Sequence, residues 1–231
     1  MRNDITHTRH HRWILLGALI AIAGVAGCTR ADADEPDVAA SEAAAVAAPM
    51  SPIDAELERV REATKKYQDV NVALADGYVR DPADACETAD MMGRPAEDGI
   101  MGIHYIRFDL LGITEPPNPR VDGTSTYTDF MQPGVLLYEP QADGSLELIA
   151  VENLVFIKAW EEAGNTAPPV FVDRPYDRME DDPATEVDEA HNFAPHYDLH
   201  VWLYRDNPRG MFAQFNPNGT CAHHTGAAHG H

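Results

Sequence analysis

The coordinating side chains of this sequence are concentrated in one stretch. Residues 195–204 read PHYDLHVWLY, so His196, Asp198, His200 and Trp202 alternate with Tyr197, Leu199, Val201 and Leu203. A period of two belongs to a β-strand, with two imidazoles, a carboxylate and an indole on one face and an apolar row on the other. Imidazole and carboxylate together suit zinc, copper or non-haem iron. Strand geometry limits how they combine. His196 and His200 lie about 13 Å apart at roughly 3.3 Å per residue, too far to share an ion. Chelation along the strand therefore needs neighbours two apart, His196 with Asp198 or Asp198 with His200. A third ligand has to come from another strand, His104 first, then Glu139, Glu152 or His191. The competing reading is a buried polar ladder in which Asp198 accepts hydrogen bonds from a neighbouring imidazole, Tyr or Trp. Ladders of this kind are common in sheets, and on pattern alone this reading weighs somewhat more than chelation.

Other chemistry has less support. The sequence holds no GxSxG, HExxH, Walker loop or dinucleotide-binding glycine pattern. Asp198 between histidines could serve general acid–base chemistry with Trp202 as one wall, but no further residue pattern points to a substrate. The C-terminal residues 222–231 carry His223, His224, His229 and His231 among Ala, Gly and Thr, a composition that captures Cu(II), Ni(II) or Zn(II) weakly without a preformed cavity.

Several elements must position the first stretch. Ser51, Pro52 and Asp54 read as N-cap, N1 and N3 of a helix, and Ile53, Leu57, Val60, Thr64, Tyr67, Val70, Leu74 and Tyr78 then recur at three and four. This predicts one amphipathic helix of about six turns ending near Gly77. Residues 80–99 read as an irregular loop. Strands are expected at 100–108, with His104, Ile106 and Phe108 on one face, and at 134–139. Asp143-Gly144 is a hairpin signal leading to a strand at 146–157 with Leu146, Leu148, Ala150 and Glu152 on one face. Residues 170–172 form a short strand and 196–204 the last. With no long helix between strands, the expected class is α+β. An N-terminal amphipathic helix packs on a mainly antiparallel meander of about four or five strands, in one domain over residues 51–221. The same order describes cystatin-like and NTF2-like architectures, between which pattern does not choose.

The N-terminus carries an address. Arg2, Arg9 and Arg12 precede an apolar run, residues 13–25, with the length of a signal-peptide core and too short for a comfortable membrane span. It ends in Val25-Ala26-Gly27-Cys28, which resembles the lipobox of bacterial lipoproteins. That resemblance implies removal of residues 1–27, a lipid on Cys28 and a membrane anchor in the cell envelope. Thr29, where Asp would direct retention, implies the outer membrane facing the periplasm if the cell is Gram-negative. Residues 28–50, rich in Ala and acids, then read as a disordered tether.

Cleavage there changes the formal charge from −21 to −23, because three arginines and one aspartate leave with residues 1–27. So acidic a chain disfavours nucleic acid and anionic lipid surfaces as partners and attracts cations. With Cys28 assigned to lipid, Cys86 and Cys221 are two thiols in an oxidising compartment. A disulfide is the expected state, with a metal–thiolate pair as the alternative. The segments GIHY, LYEP and HYDLHVWLYRDNPRGMFAQFNPNGTC together resemble a group of bacterial envelope proteins of no assigned activity, over roughly residues 60–221. The functional expectation is a lipid-anchored envelope domain that binds a small ligand or a transition metal (Zn, Cu or Fe) without catalysis, using His104, His196, Asp198 and His200. The alternatives are a metal-dependent enzyme with the same residues, and a structural or partner-binding lipoprotein.

Overall fold

A computed structural model describes residues 50–226. The signal peptide expected at 1–27, the tether expected at 28–50 up to residue 49, Cys28, His229 and His231 lie outside the described residues. The fold is α+β, with a mainly antiparallel sheet.

The chain starts with α1 (Pro52–Thr64), where the Ser51 side chain accepts the Asp54 amide and Pro52 occupies the first turn. The expected single six-turn helix does not form. A 3-10 turn, Lys65–Gln68, intervenes before α2 (Val70–Ala75). Asp69 adopts extended backbone and its side chain accepts the Asn71 amide at 2.9 Å, which restarts the helix at that point. Ile53 and Leu74, both on the expected apolar stripe, are exposed.

After β1 (Val79–Arg80) and β2 (Glu87–Thr88), the long strands are β3 (Ile100–Ile106), β4 (Val135–Pro140) and β5 (Leu146–Phe156). A short α3 (Phe108–Leu111) follows β3, so Phe108 leaves the strand it was expected to extend. α4 (Ile157–Glu162), the small pair β6 (Val170–Phe171) and β7 (Arg174–Pro175), then β8 (Asp177–Met179) lead to β9 (His196–Val201). Among the described residues the main sheet has seven strands in the order β1-β3-β4-β5-β9-β8, with β2 pairing β3. This is more than the four or five expected. The extra members are two- and three-residue strands, too short to show a sequence period.

Every residue of β3, β4 and β9 is buried, so both faces of the sheet are covered. On one face Val60, Tyr67 and Ala73 pack against Ile103, Tyr105, Leu136, Tyr138, Val151 and Leu199. The Tyr138 hydroxyl donates to the Tyr67 carbonyl at 2.6 Å and ties the helical segment to β4. The opposite face carries Ile106, Val135, Leu137, Ala150, Leu154 and Phe156, together with the polar residues described below. Two loops lie over it, joined by the Val121–Phe193 bridge and by Arg120, which donates to Asp188, Asp181 and the Phe193 carbonyl.

A β-bulge sets the phase of β5. Leu137 pairs with Ala150 and Tyr138 with Leu148, so Ile149 is the extra residue. Leu148 consequently packs on the helix-covered face while Ala150 and Glu152 stay on the other. The expected common face for Leu148, Ala150 and Glu152 is thereby corrected. Strict alternation from Leu148 cannot survive the inserted residue.

Candidate metal centre

Three strands bring the polar face together. Glu152 of β5 pairs with His200 of β9 and, on its other side, with Val135 of β4, which pairs with Ile106 of β3. His104 lies two residues before Ile106 on the same face of β3. Gly102, with φ 106°, lets β3 approach closely there, since a Cβ would meet the Tyr138 carbonyl oxygen at 2.7 Å.

His104, Glu152 and His200 are all buried, and among the described residues they form a group whose donor atoms lie within 4.8 Å of one another. Glu152 Oε2 is 3.6 Å from His104 Nε2 and 3.5 Å from His200 Nε2. These separations exceed hydrogen-bond length. Glu152 Oε2 and His200 Nε2 are buried with no hydrogen-bond partner at all. Two donors held about 2.1 Å from a tetrahedral ion would stand about 3.4 Å apart, close to what is seen.

Each histidine has a carboxylate behind it. Glu87 Oε2 is 3.8 Å from His104 Nδ1, and Asp198 Oδ2 is 3.9 Å from His200 Nδ1. Glu87 also accepts a hydrogen bond from His191 Nδ1 at 2.6 Å. At 3.8 Å and 3.9 Å neither carboxylate bonds the ring in front of it, and His104 Nδ1 has no hydrogen-bond partner. Each therefore stands as a nearby negative charge rather than as the bonded carboxylate that usually supports a metal-bound imidazole. Glu87 is held there by Cys86, which is bonded to Cys221 with a Cα separation of 5.7 Å. The expected disulfide is therefore present.

The electrostatics leave an unmet demand for positive charge. Burial, followed by repulsion from Asp198 and Glu87, pushes the Glu152 carboxyl well above its ordinary range. Burial also raises Asp198, to about 7. Burial would raise Glu87 too, but attraction to His104 and His191 outweighs it and holds this carboxyl at about 2. Burial, with repulsion from His104 and His191, drives His200 well below its usual value, so its ring is neutral and keeps a lone pair. His196 is pushed down to about 3, chiefly by burial. His191 moves the other way. Burial opposes its protonation, yet Glu87 beside it raises its pKa.

A cavity of about 20 Å³ adjoins the group, bordered by His104, Glu152, Glu87, His191, His196 and Asp198. Its apolar wall is Ile106, Val135, Leu154 and Phe193.

Of the residues singled out in the sequence, His104 and His200 enter the three-donor group together with Glu152. Asp198 stands behind His200. His196 borders the cavity and donates through Nδ1 to the Ala194 carbonyl at 3.0 Å. The Asp198–His200 pair expected along β9 is replaced by a pairing across strands, because the antiparallel register puts Glu152 directly beside His200. Glu139 lies elsewhere, accepting from Arg205 at 2.5 Å and from the Thr220 amide at 2.7 Å. His223 is exposed, and His224 contacts Arg80 and Asp84 away from the group. Glu87 was not foreseen. Its one sequence signal is its place beside Cys86, whose partner Cys221 lies shortly beyond the histidine strand. The ring of Trp202 stacks beside His200 with centroids 6.5 Å apart, and its indole N–H donates to the Ala213 carbonyl.

Among the described residues no helix is long and apolar enough to cross a membrane. Comparison with protein families, with curated proteins and with solved structures finds no match to this chain.

Proposed function

We propose that this protein is a lipid-anchored domain of the bacterial cell envelope that holds one transition-metal ion between His104 Nε2, His200 Nε2 and a Glu152 oxygen. The observation that carries this reading is the unsatisfied donor set. A buried carboxylate oxygen lies 3.5 Å and 3.6 Å from two imidazole nitrogens and bonds to neither. A polar ladder would close those gaps to about 2.7–3.2 Å, whereas a cation requires them open. Two imidazoles and one carboxylate are too few and too soft for calcium or magnesium and suit zinc, iron or copper. The spacing favours a tetrahedral ion, hence zinc first.

The envelope assignment rests on the Val25-Ala26-Gly27-Cys28 segment and the Cys86–Cys221 bond, which belongs to an oxidising compartment. The membrane partner is reached through the lipid on Cys28, on the outer membrane and facing the periplasm if the cell is Gram-negative. The role is binding rather than turnover of an organic substrate, since pockets for such molecules usually enclose about 300–1,000 Å³. The N-terminal helical segment, amphipathic in sequence, has a packing role on the far face. The tail histidines His223, His224, His229 and His231 form at most a weak accessory trap.

Elemental analysis of the full chain, purified without affinity histidines, tests this. One equivalent of metal is expected after challenge with zinc, iron and copper. It should be lost in Glu152→Gln and kept when the four tail histidines are alanine. No bound metal in the parent protein, or metal that follows the tail alone, would refute the proposal.

A further inference from the structure

The three donors leave at least one coordination position of a four-coordinate ion to a group from outside the triad. Two of them, His104 and Glu152, border the cavity of about 20 Å³. One water needs roughly 10–15 Å³, so the space accepts a ligand of one to about three atoms and no more. His191 borders the same cavity, and its Nε2 is buried without a hydrogen-bond partner while its Nδ1 is committed to Glu87. The His191 side chain is 10% exposed, its backbone is left-handed (φ 51°), and Asn192 beside it is held by Asp188, which accepts the Asn192 amide at 2.8 Å. The loop thus fixes a ring that borders the cavity and carries one buried polar atom, Nε2, without a hydrogen-bond partner.

From this geometry we infer that the cavity is a binding site for a small exogenous metal ligand, water or hydroxide and by extension a compact monoanion, held by a hydrogen bond with His191 Nε2. That nitrogen accepts from water or hydroxide and, as the imidazolium paired with Glu87, donates to a monoanion. The inference rests on the metal reading above. Charge fits it as well, because two neutral imidazoles and one carboxylate leave a dication with one positive charge for such a ligand to neutralise. His191 is a positioning residue here, itself oriented by Glu87. The apolar wall of Ile106, Val135, Leu154 and Phe193 excludes larger groups.

Cobalt(II) substitution makes the site visible, because the ligand-field bands of this ion respond to a new ligand. The full-length protein is loaded with cobalt(II) and titrated with azide, then with acetate as a bulkier control. One equivalent of cobalt is expected, with bands that shift on azide and stay put on acetate. His191→Asn keeps a donor at the Nδ1 position for Glu87, tolerates the left-handed backbone and lacks Nε2. It should retain cobalt and bind azide about tenfold more weakly, the equivalent of one hydrogen bond. His191→Gln, whose amide reaches toward the Nε2 position, should recover part of that loss. Cobalt bound with a spectrum that azide does not move would overturn the exogenous-ligand site and leave the metal reading standing. Equal azide affinity in His191→Asn would remove His191 from it, and acetate binding as readily as azide would refute the enclosed cavity. Failure to bind cobalt at all would overturn both.

Discussion

At the scale of single residues, Glu152 carries opposite consequences for stability and for function. Without an ion its buried carboxyl has no hydrogen bond to Oε2 and two acidic neighbours. Because the fold resists ionisation of this carboxyl, folding at neutral pH carries a cost that Glu152→Gln removes at nearly constant volume. The metal-free variant should therefore be more stable than the parent, by about 1–3 kcal/mol, the usual cost of an unsatisfied buried group. Chemical denaturation in the presence of a chelator measures this, and a less stable variant would mean that Glu152 is already satisfied. His196 supports a pH prediction. Its pKa falls from 6.5 to about 3 in the fold, so between those values the unfolded chain takes up a proton that the native state refuses. Stability from this group is complete above pH 6.5 and drains away as the pH falls toward 3, by a few kcal/mol at about 1.4 kcal/mol per unit. Asp198, raised to about 7, works in the opposite sense and loses stability as the pH rises. The informative quantity is the difference between the parent and His196→Asn, whose side-chain amide can still donate to the Ala194 carbonyl. The variant's denaturation midpoint should fall less steeply over pH 6.5 to 3, and parallel profiles would contradict the neutral buried imidazole.

At the scale of elements, the disulfide and the two-residue strand β2 act together. Cys86 and Cys221 are 135 residues apart, and the bond between them should stabilise the fold by roughly 4–5 kcal/mol on the chain-entropy view. It also places Glu87 beside both His104 and His191. Replacing both cysteines with alanine should therefore weaken zinc binding by about tenfold, the low end of the effect of losing a carboxylate behind a metal-bound imidazole, because Glu87 stands near His104 Nδ1 without bonding it. Competition with a chromogenic chelator under conditions where the variant is folded reads this directly. Unchanged affinity would reduce the disulfide to a staple. The same pairing shows where sequence reading stops. The alternation of β9 was legible, as were the faces of His104 and His200, because each follows from a local period. The choice of Glu152 over Asp198 was not. It depends on the register between β5 and β9, strands separated by the 39 residues 157–195, and on a bulge at Ile149 that no alternation announces. Glu87 stayed hidden for a related reason, since a strand of two residues has no period and a disulfide sets its place.

At the scale of the whole molecule, the site joins β3, β5 and β9, so an ion there cross-links the sheet at its centre and is linked to global unfolding. Zinc at a free concentration one hundred times its dissociation constant should add about 2.7 kcal/mol. For a folded region of this size that raises the melting temperature by roughly 5–10 °C, at about 2–4 °C per kcal/mol. Excess chelator should return the transition to its starting point. The histidine-containing tail complicates the measurement, because residues that bind zinc equally well in the unfolded chain reduce or cancel the shift. The comparison therefore needs three proteins side by side. The parent should gain, the variant with His223, His224, His229 and His231 replaced by alanine should gain as much or more, and Glu152→Gln should gain nothing. The acidic surface adds a second coordinate, since a formal charge of −21 in the full chain draws cations inward and its effect is screened by salt. Raising the ionic strength should slow zinc association while leaving the maximal shift at saturation almost unchanged, because the buried donors are screened far less than the surface. A melting temperature that responds to zinc equally in all three proteins would place the ion on the surface and empty the sheet of its proposed role.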